Sequence, residues 1–226
     1  MKKWSELPQN MQSDAVREYY DILNSKTASL IFKRLFDIVV SSVLIVICSP
    51  IMLILAICIK IDSKGPVMFR QRRVTTYNRV FRIFKFRTMV NDAEKKGTQV
   101  TTNNDPRVTK VGKLIRGCRL DELPQLFNVF LGDMTFVGTR PEVEKYVAAY
   151  TDEMMATLLL PAGITSVASI KYKDEERLLE AAENTDEVYI NEVLPEKMKY
   201  NLEALKNFSF FGDIKIMFQT VFAVLK

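Results

Sequence analysis

The sequence predicts a mostly helical α/β fold with a small β-hairpin and one membrane element. Three observations predict it. Ile38 to Ile59 runs 22 residues without a charge; Val67 to Thr88 alternates large apolar and basic residues about a short polar connection; and apolar residues elsewhere recur at helical spacing. At 226 residues, 48% hydrophobic and 26% charged, the chain can bury one ordinary core. The expected division is an N-terminal extension over 1–32, a membrane helix over 33–62 and a folded domain over 63–226.

Residues 1 to about 30 are polar and mixed, with Tyr19, Tyr20, Ile22 and Leu23 supporting at most a short helix. They lack the apolar core and cleavage site of a signal peptide. The uncharged segment that follows meets a membrane. Ser49-Pro50 near its middle predicts a break, because proline removes a helical hydrogen bond and disfavours helical geometry in the residue before it. Each leg is then about 15 to 18 Å long, roughly half of a ~30 Å hydrocarbon core, so neither spans alone. Cations flank both ends, Lys33 and Arg34 before and Lys60, Lys64, Arg70, Arg72 and Arg73 after, which places both ends on the cytoplasmic side. A single kinked span is the alternative.

The hairpin pairs VMFRQRRV with RVFRIFKFRT about Thr75 to Asn78, with Lys85 and Arg87 on one face. Between Arg70 and Arg87 there are seven Lys or Arg and no acid, so its partner is anionic. For most of these arginines a solvated strand pair beside lipid headgroups serves equally well; Lys85, within the apolar stretch Ile83 to Phe86, is singled out as held in a fixed direction. Residues 91 to 108 read as a polar loop, with a turn at Asp105-Pro106. From Leu120 to Leu131 the apolar positions follow helical spacing, and Gly132-Asp133 closes that helix. More helices fill 142 to 206. The last stretch, FSFFGDIKIMFQTVFAVLK, carries five Phe and predicts an amphipathic helix, either at the bilayer interface or facing the core.

Histidine is absent, which removes Ser-His and Cys-His nucleophiles and His-ligated metal. Three cysteines without a close pairing motif argue against a disulfide framework and for a reducing compartment. Chemistry then falls to Asp, Glu, Lys or Tyr. Asp121 and Glu122 open the predicted helix of RLDELPQLFNVF, with Pro124 tolerated in its first turn. A helix N-terminus favours negative charge by roughly 0.3 to 1 kcal/mol, and Arg116 and Arg119 push the same way. Adjacent helical side chains diverge by about 100°, so one acid can attack phosphorus while its neighbour holds a metal. Asp and Glu at a helix start also serve simply as caps. Asp133 follows the helix, and Phe136 to Pro141 forms a Gly/Pro-bearing turn presenting Arg140, whose planar fork suits a pyrophosphate.

Several blocks in one order carry a resemblance: KRLFD at Lys33 to Asp37, Ser49-Pro50, GPVMFRQRRV from Gly65, FKFRTM from Phe84, DPRVTKVGKLIR from Asp105, LDELPQLFNVFLGDM from Leu120 and FVGTRPE from Phe136. From about Lys33 onward the chain resembles the bacterial sugar transferases, the monotopic phosphoglycosyl transferases. That resemblance implies a re-entrant helix-break-helix dipping into one leaflet, interfacial amphipathic helices, and a catalytic unit at the cytoplasmic face of the bacterial inner membrane. It implies Asp121 as nucleophile, Glu122 as a Mg²⁺-binding acid, and Lys85, Arg116 and Arg140 around the phosphates; Asp133 matches a further acid of the motif.

The implied reaction moves a sugar phosphate from a UDP-sugar to polyprenyl phosphate through an aspartyl-phosphosugar, releasing UMP, as the first step of a surface glycan. The partners are UDP-sugar, polyprenyl phosphate and membrane lipid rather than nucleic acid; a homodimer is compatible with this. Two departures bear on the sugar rather than the reaction: Thr139 where the family usually has Pro, and PAGITSVASIK over 161–171 where many members have Pro-Gly-Ile-Thr-Gly followed by Trp or Leu and then Ala-Gln-Val. The hairpin turn also lacks its usual glycines. The rival functions are a non-catalytic membrane scaffold for anionic lipid and a transferase of another nucleotide-activated group.

Overall fold

The N-terminal residues pack as part of the domain. The computed structural model describes residues 1–91, 93, 105–172 and 184–225. Within it, α1 (Asp14–Ser25) starts where the Ser13 hydroxyl accepts from the Val16 amide. Val16, Tyr19, Tyr20 and Leu23, spaced along one helical face, are buried with Leu7 and Met11 against Leu158, Leu159 and Leu205. Where the sequence supported at most a short helix, this segment packs against one end of the core.

The uncharged run forms one helix, α2 (Thr27–Asp62), with Pro50 inside it. No break in helical structure appears at Ser49-Pro50, and the reason is local. Pro50 has no N–H for the Val46 carbonyl, and the Ser49 hydroxyl donates to that carbonyl instead at 2.8 Å. Along one face Phe36, Val40, Leu44, Cys48, Met52 and Ile59 pack on the domain. The opposite face leaves Phe32, Leu35, Val43, Ile47, Ile54 and Ile61 exposed. This is the one helix among the described residues long and apolar enough to cross a membrane.

The hairpin forms as expected, β1 (Met68–Thr75) antiparallel to β2 (Arg79–Phe86), with Phe69 opposite Lys85 and Arg73 opposite Phe81. Its glycine-free turn holds Tyr77 and Asn78 both at φ 57°. The Tyr77 hydroxyl accepts from the Lys2 amide, so the N-terminal segment supports that strained turn. Lys85 and Arg87 diverge in destination. Arg87 is buried and donates to the Ser63 and Lys64 carbonyls at the end of α2. The polar loop over 91–108 lies mostly outside the described residues, but its closing turn is seen, with the Val108 amide donating to the Asp105 carbonyl.

After that turn come α3 (Lys110–Gly117), α4 (Gln125–Leu131), β3 (Met134–Val137) and α5 (Glu144–Val147). A crossover then returns the chain as β4 (Ala162–Thr165), parallel to β3 with Thr135 opposite Gly163. The helices α6 (Val167–Lys171), α7 (Thr185–Val188), α8 (Leu194–Lys206) and α9 (Phe210–Leu225) complete the described chain, so the mostly helical α/β reading holds. The two faces of α9 differ. Ile216 and Met217 pack on the core cluster of Leu126, Val129 and Phe136, while Phe211, Phe218 and Phe222 are exposed. Together α2 and α9 therefore present apolar surface beyond what a water-facing domain ordinarily keeps, an arrangement compatible with a monotopic membrane protein.

Candidate active site

The acid pair sits in a tight connection between two helices, not at the start of an α-helix. Upstream, the Thr109 hydroxyl caps α3 by accepting from the Gly112 amide at 3.0 Å, and Asp62 from the end of α2 accepts from the Val111 amide at 3.0 Å. Past α3, Arg119 takes a left-handed conformation, φ 53°, and the chain turns through a single 3₁₀ turn, Leu120–Glu122. The α-helix itself, α4, begins only at Gln125. Proline at 124 cannot donate into the preceding turn, which shortens the predicted helix at its front. The predicted close is found. Gly132 at φ 88° donates to the Asn128 and Val129 carbonyls.

Glu122 receives two cations on one oxygen. Its Oε1 lies 2.8 Å from Lys85 Nζ and 3.1 Å from Arg140 Nη2. Burial alone would raise this carboxyl, but Arg140 and Lys85 together outweigh burial and hold it well below the usual carboxylate range. Burial likewise pushes the Lys85 ammonium down, with Glu122 opposing. Asp121 behaves oppositely to its neighbour. Burial raises its carboxyl and the Glu122 charge adds to that, against the opposing Lys85 and Arg116. This corrects the expectation that the helix end and nearby arginines would dominate. Arg116 acts in the expected direction; burial outweighs it.

Arg140 follows β3 on a turn fixed by close backbone contact. The Gly138 amide donates to the Thr165 carbonyl at 2.9 Å and the Gly163 amide to the Thr139 carbonyl at 2.8 Å. A Cβ on Gly163 would lie 2.2 Å from the Gly138 nitrogen, so the two chains cross where only glycine fits. The departures at Thr139 and over 161–171 therefore sit beside the arginine turn, in β4 and α6. Asp133 is elsewhere. It pairs with Arg79 at 2.8 Å, at the opposite end of β2 from Lys85, about 20 Å along the strand, which separates it from the acid pair.

Arg73 was missed. It shares a hairpin face with Gln71 and lies near Arg140, whose charge, after burial, helps lower it. Its Nη1 donates to the Pro141 carbonyl at 3.1 Å and its Nη2 to Gln71 Oε1 at 2.7 Å. Strand alternation places residues 69, 71 and 73 on the Lys85 face, a signal present in the sequence. Behind the turn, buried Glu142 accepts from the Tyr189 hydroxyl at 2.6 Å and lies 3.6 Å from Lys197; nothing local in the sequence indicated that group. Among the described residues no set of three or more acids, His or Cys could hold a metal. The donor set fits Mg²⁺ only with substrate, since that ion accepts one or two carboxylates completed by phosphate oxygens and water.

Fold and site together define a protein with a long apolar helix beside a partly buried acid pair flanked by cations, a centre suited to phosphate. The family model described as bacterial sugar transferase matches residues 28–226, and the chain belongs to that family. It is 39% identical over 196 residues to a UDP-N-acetylgalactosamine-undecaprenyl-phosphate N-acetylgalactosaminephosphotransferase of Aeromonas hydrophila, covering 85% of this chain and 43% of that protein. It is also 39% identical over 199 residues to a UDP-glucose:undecaprenyl-phosphate glucose-1-phosphate transferase of Klebsiella pneumoniae, covering 86% and 40%. A Caulobacter vibrioides protein of the same description is 32% identical over 196 residues, covering 85% and 69%. The chain thus spans about two-fifths of the length of the first two relatives.

Proposed function

We propose that this chain transfers a sugar phosphate from a UDP-sugar to polyprenyl phosphate at the cytoplasmic face of the bacterial inner membrane, in the initiating step of a surface glycan. The observation that carries the reading is the opposite tuning of two neighbouring carboxylates, Glu122 held down by Lys85 and Arg140, Asp121 raised by burial. A carboxylate that is poorly stabilised is the better nucleophile; one locked between cations is the better anchor.

In the first step an Asp121 oxygen attacks the β-phosphorus of the donor. The new bond joins that oxygen to phosphorus, and the bond from phosphorus to the bridging oxygen breaks, so UMP leaves with the electron pair. In the second step a phosphate oxygen of the lipid attacks the same phosphorus and Asp121 departs as carboxylate. Lys85 and Arg140 stabilise the phosphoryl oxygens through both steps, and Arg116 adds positive charge near Asp121. Mg²⁺, held by Glu122 with the diphosphate, would supply further charge neutralisation. The exposed apolar faces of α2 and α9 keep the centre at the lipid boundary, where a polyprenyl phosphate presents its headgroup.

The test is a screen of UDP-sugars in detergent for UMP release, with quenched reactions examined for phosphosugar on Asp121. Asp121→Asn is expected to reduce turnover at least about 10³-fold, as loss of a covalent nucleophile does. Silence across UDP-sugars, or near-normal turnover by that variant, overturns the reading. A scaffold predicts no release from any donor, and a transferase of another group predicts release from a different nucleotide.

A further inference from the structure

One turn and a half of α2 grips both elements that carry the proposed site. Arg34 donates from Nη1 to the Val129 carbonyl and from Nη2 to the Phe130 carbonyl, each at 2.7 Å, and so caps the far end of α4, the helix that follows Glu122. Lys33 donates to the Val137 carbonyl at 2.7 Å, on the last residue of β3, and also bonds Asp213 of α9. Asp37 accepts from the Thr135 hydroxyl at 2.7 Å and from the Phe136 amide at 3.3 Å. Lys33 and Asp37 are only 6% and 3% exposed, so neither faces lipid headgroups as a flanking charge would.

Buried charges are costly to place, and apolar residues of similar size would hold a helix at least as well. What charges supply here is direction, toward particular main-chain atoms. The bonds close a ring: α2 to α4 through Arg34, α4 back to Glu122, Glu122 to Arg140 at 3.1 Å, Arg140 back along β3, and β3 to α2 through Lys33 and Asp37.

We propose that Lys33, Arg34 and Asp37 are positioning residues for the transfer reaction, fixing the spacing of the acid pair and Arg140 from within the apolar helix. The assignment rests on the function proposed above. It makes the membrane helix part of the frame of the site, so that a change in how α2 sits is transmitted to the phosphate-binding groups.

Thr135→Val tests it most cleanly, because it removes the shorter of the two β3 bonds to Asp37 without altering α2 or any group proposed to touch substrate; Lys33→Met is the companion variant. In the full-length chain in nanodiscs, Thr135→Val is expected to lower kcat for UMP release about 10- to 100-fold, the usual consequence of misplacement near 1 Å, while KM changes little. Combined with Arg140→Ala, its further effect is expected to fall below about twofold, since a residue acting through Arg140 has nothing left to act on. Hydrogen exchange of the amides of Gly138, Thr139, Arg140 and Glu142, measured without substrate, is expected to quicken in Thr135→Val. Unchanged kcat, or a loss that multiplies fully onto Arg140→Ala, overturns the proposal. An inactive wild-type enzyme with faster exchange in the variant supports the positioning ring and instead defeats the reaction assigned to it; unchanged exchange with an inactive enzyme defeats both.

Discussion

Asp121 is destabilised as a charge in the folded protein, and that has two measurable consequences. Burial raises its carboxyl above the ordinary value of 3.8, so the folded protein holds the proton more tightly than the unfolded chain does. Any stability linked to that proton is present at low pH and is lost as pH rises through the folded value. Asp121→Asn is therefore expected to melt at or above the wild-type temperature at pH 7 to 8 while losing turnover; a clearly lower melting temperature contradicts the electrostatic account. Arg116 opposes the raised value, so Arg116→Gln should move the acid limb of kcat/KM to higher pH. An unmoved or downward-shifted limb shows that Arg116 does not act on Asp121 by charge. At this scale the sequence was informative about residue type and uninformative about environment. The pair Asp121-Glu122 and the cations Lys85 and Arg140 were legible from spacing and family blocks. That Lys85 and Arg140 meet on one oxygen of Glu122 depends on how the hairpin and the Gly138 turn approach each other, and no local pattern records that.

The turn presenting Arg140 depends on two strands crossing at Gly138 and Gly163. A methyl group at 163 meets main-chain atoms rather than a flexible side chain, with the Gly138 nitrogen, oxygen and carbon all within 2.6 Å of the added Cβ. Gly163→Ala should therefore destabilise the fold by about 1–3 kcal/mol, as overpacking does, and lower turnover further than that loss of folded protein explains. Thermal unfolding and kcat on the same preparation decide it; full activity at a wild-type melting temperature shows the crossing is not a constraint. The elements themselves were read unevenly. Period-two alternation located the hairpin, and Gly132 located the end of α4. The break at Ser49-Pro50 was not found, because the rule concerns a missing donor and Ser49 supplies a replacement for Val46. The N-terminal helix was underread for a different reason: Val16, Tyr19 and Leu23 acquire their meaning only from Leu158, Leu159 and Leu205, far along the chain.

For the whole molecule, the two ends of α2 constrain how it meets a bilayer. The start is held by Lys33 and Asp37 on β3 and α9, and the end by Asp62 on the first turn of α3. Between them, Leu44, Cys48 and Met52 pack on the same domain. A straight helix of this length is about 54 Å long, well beyond a ~30 Å hydrocarbon core, so length alone allows a span. Attachment does not: carrying one end across the membrane would tear away either the Asp62 cap or the Lys33 and Asp37 bonds, the latter leaving buried charges unpaired at several kcal/mol. If these bonds persist in the membrane, both ends of α2 lie on one side and its exposed apolar face enters a single leaflet. In a chain with Cys48, Cys58 and Cys118 replaced, cysteines introduced at the exposed positions Ser25 and Lys64 should react with an impermeant maleimide together, and only after the inner membrane is opened. Reaction of one in intact spheroplasts while the other stays protected would show that α2 spans the bilayer and that its bonds to the domain do not all persist in the membrane.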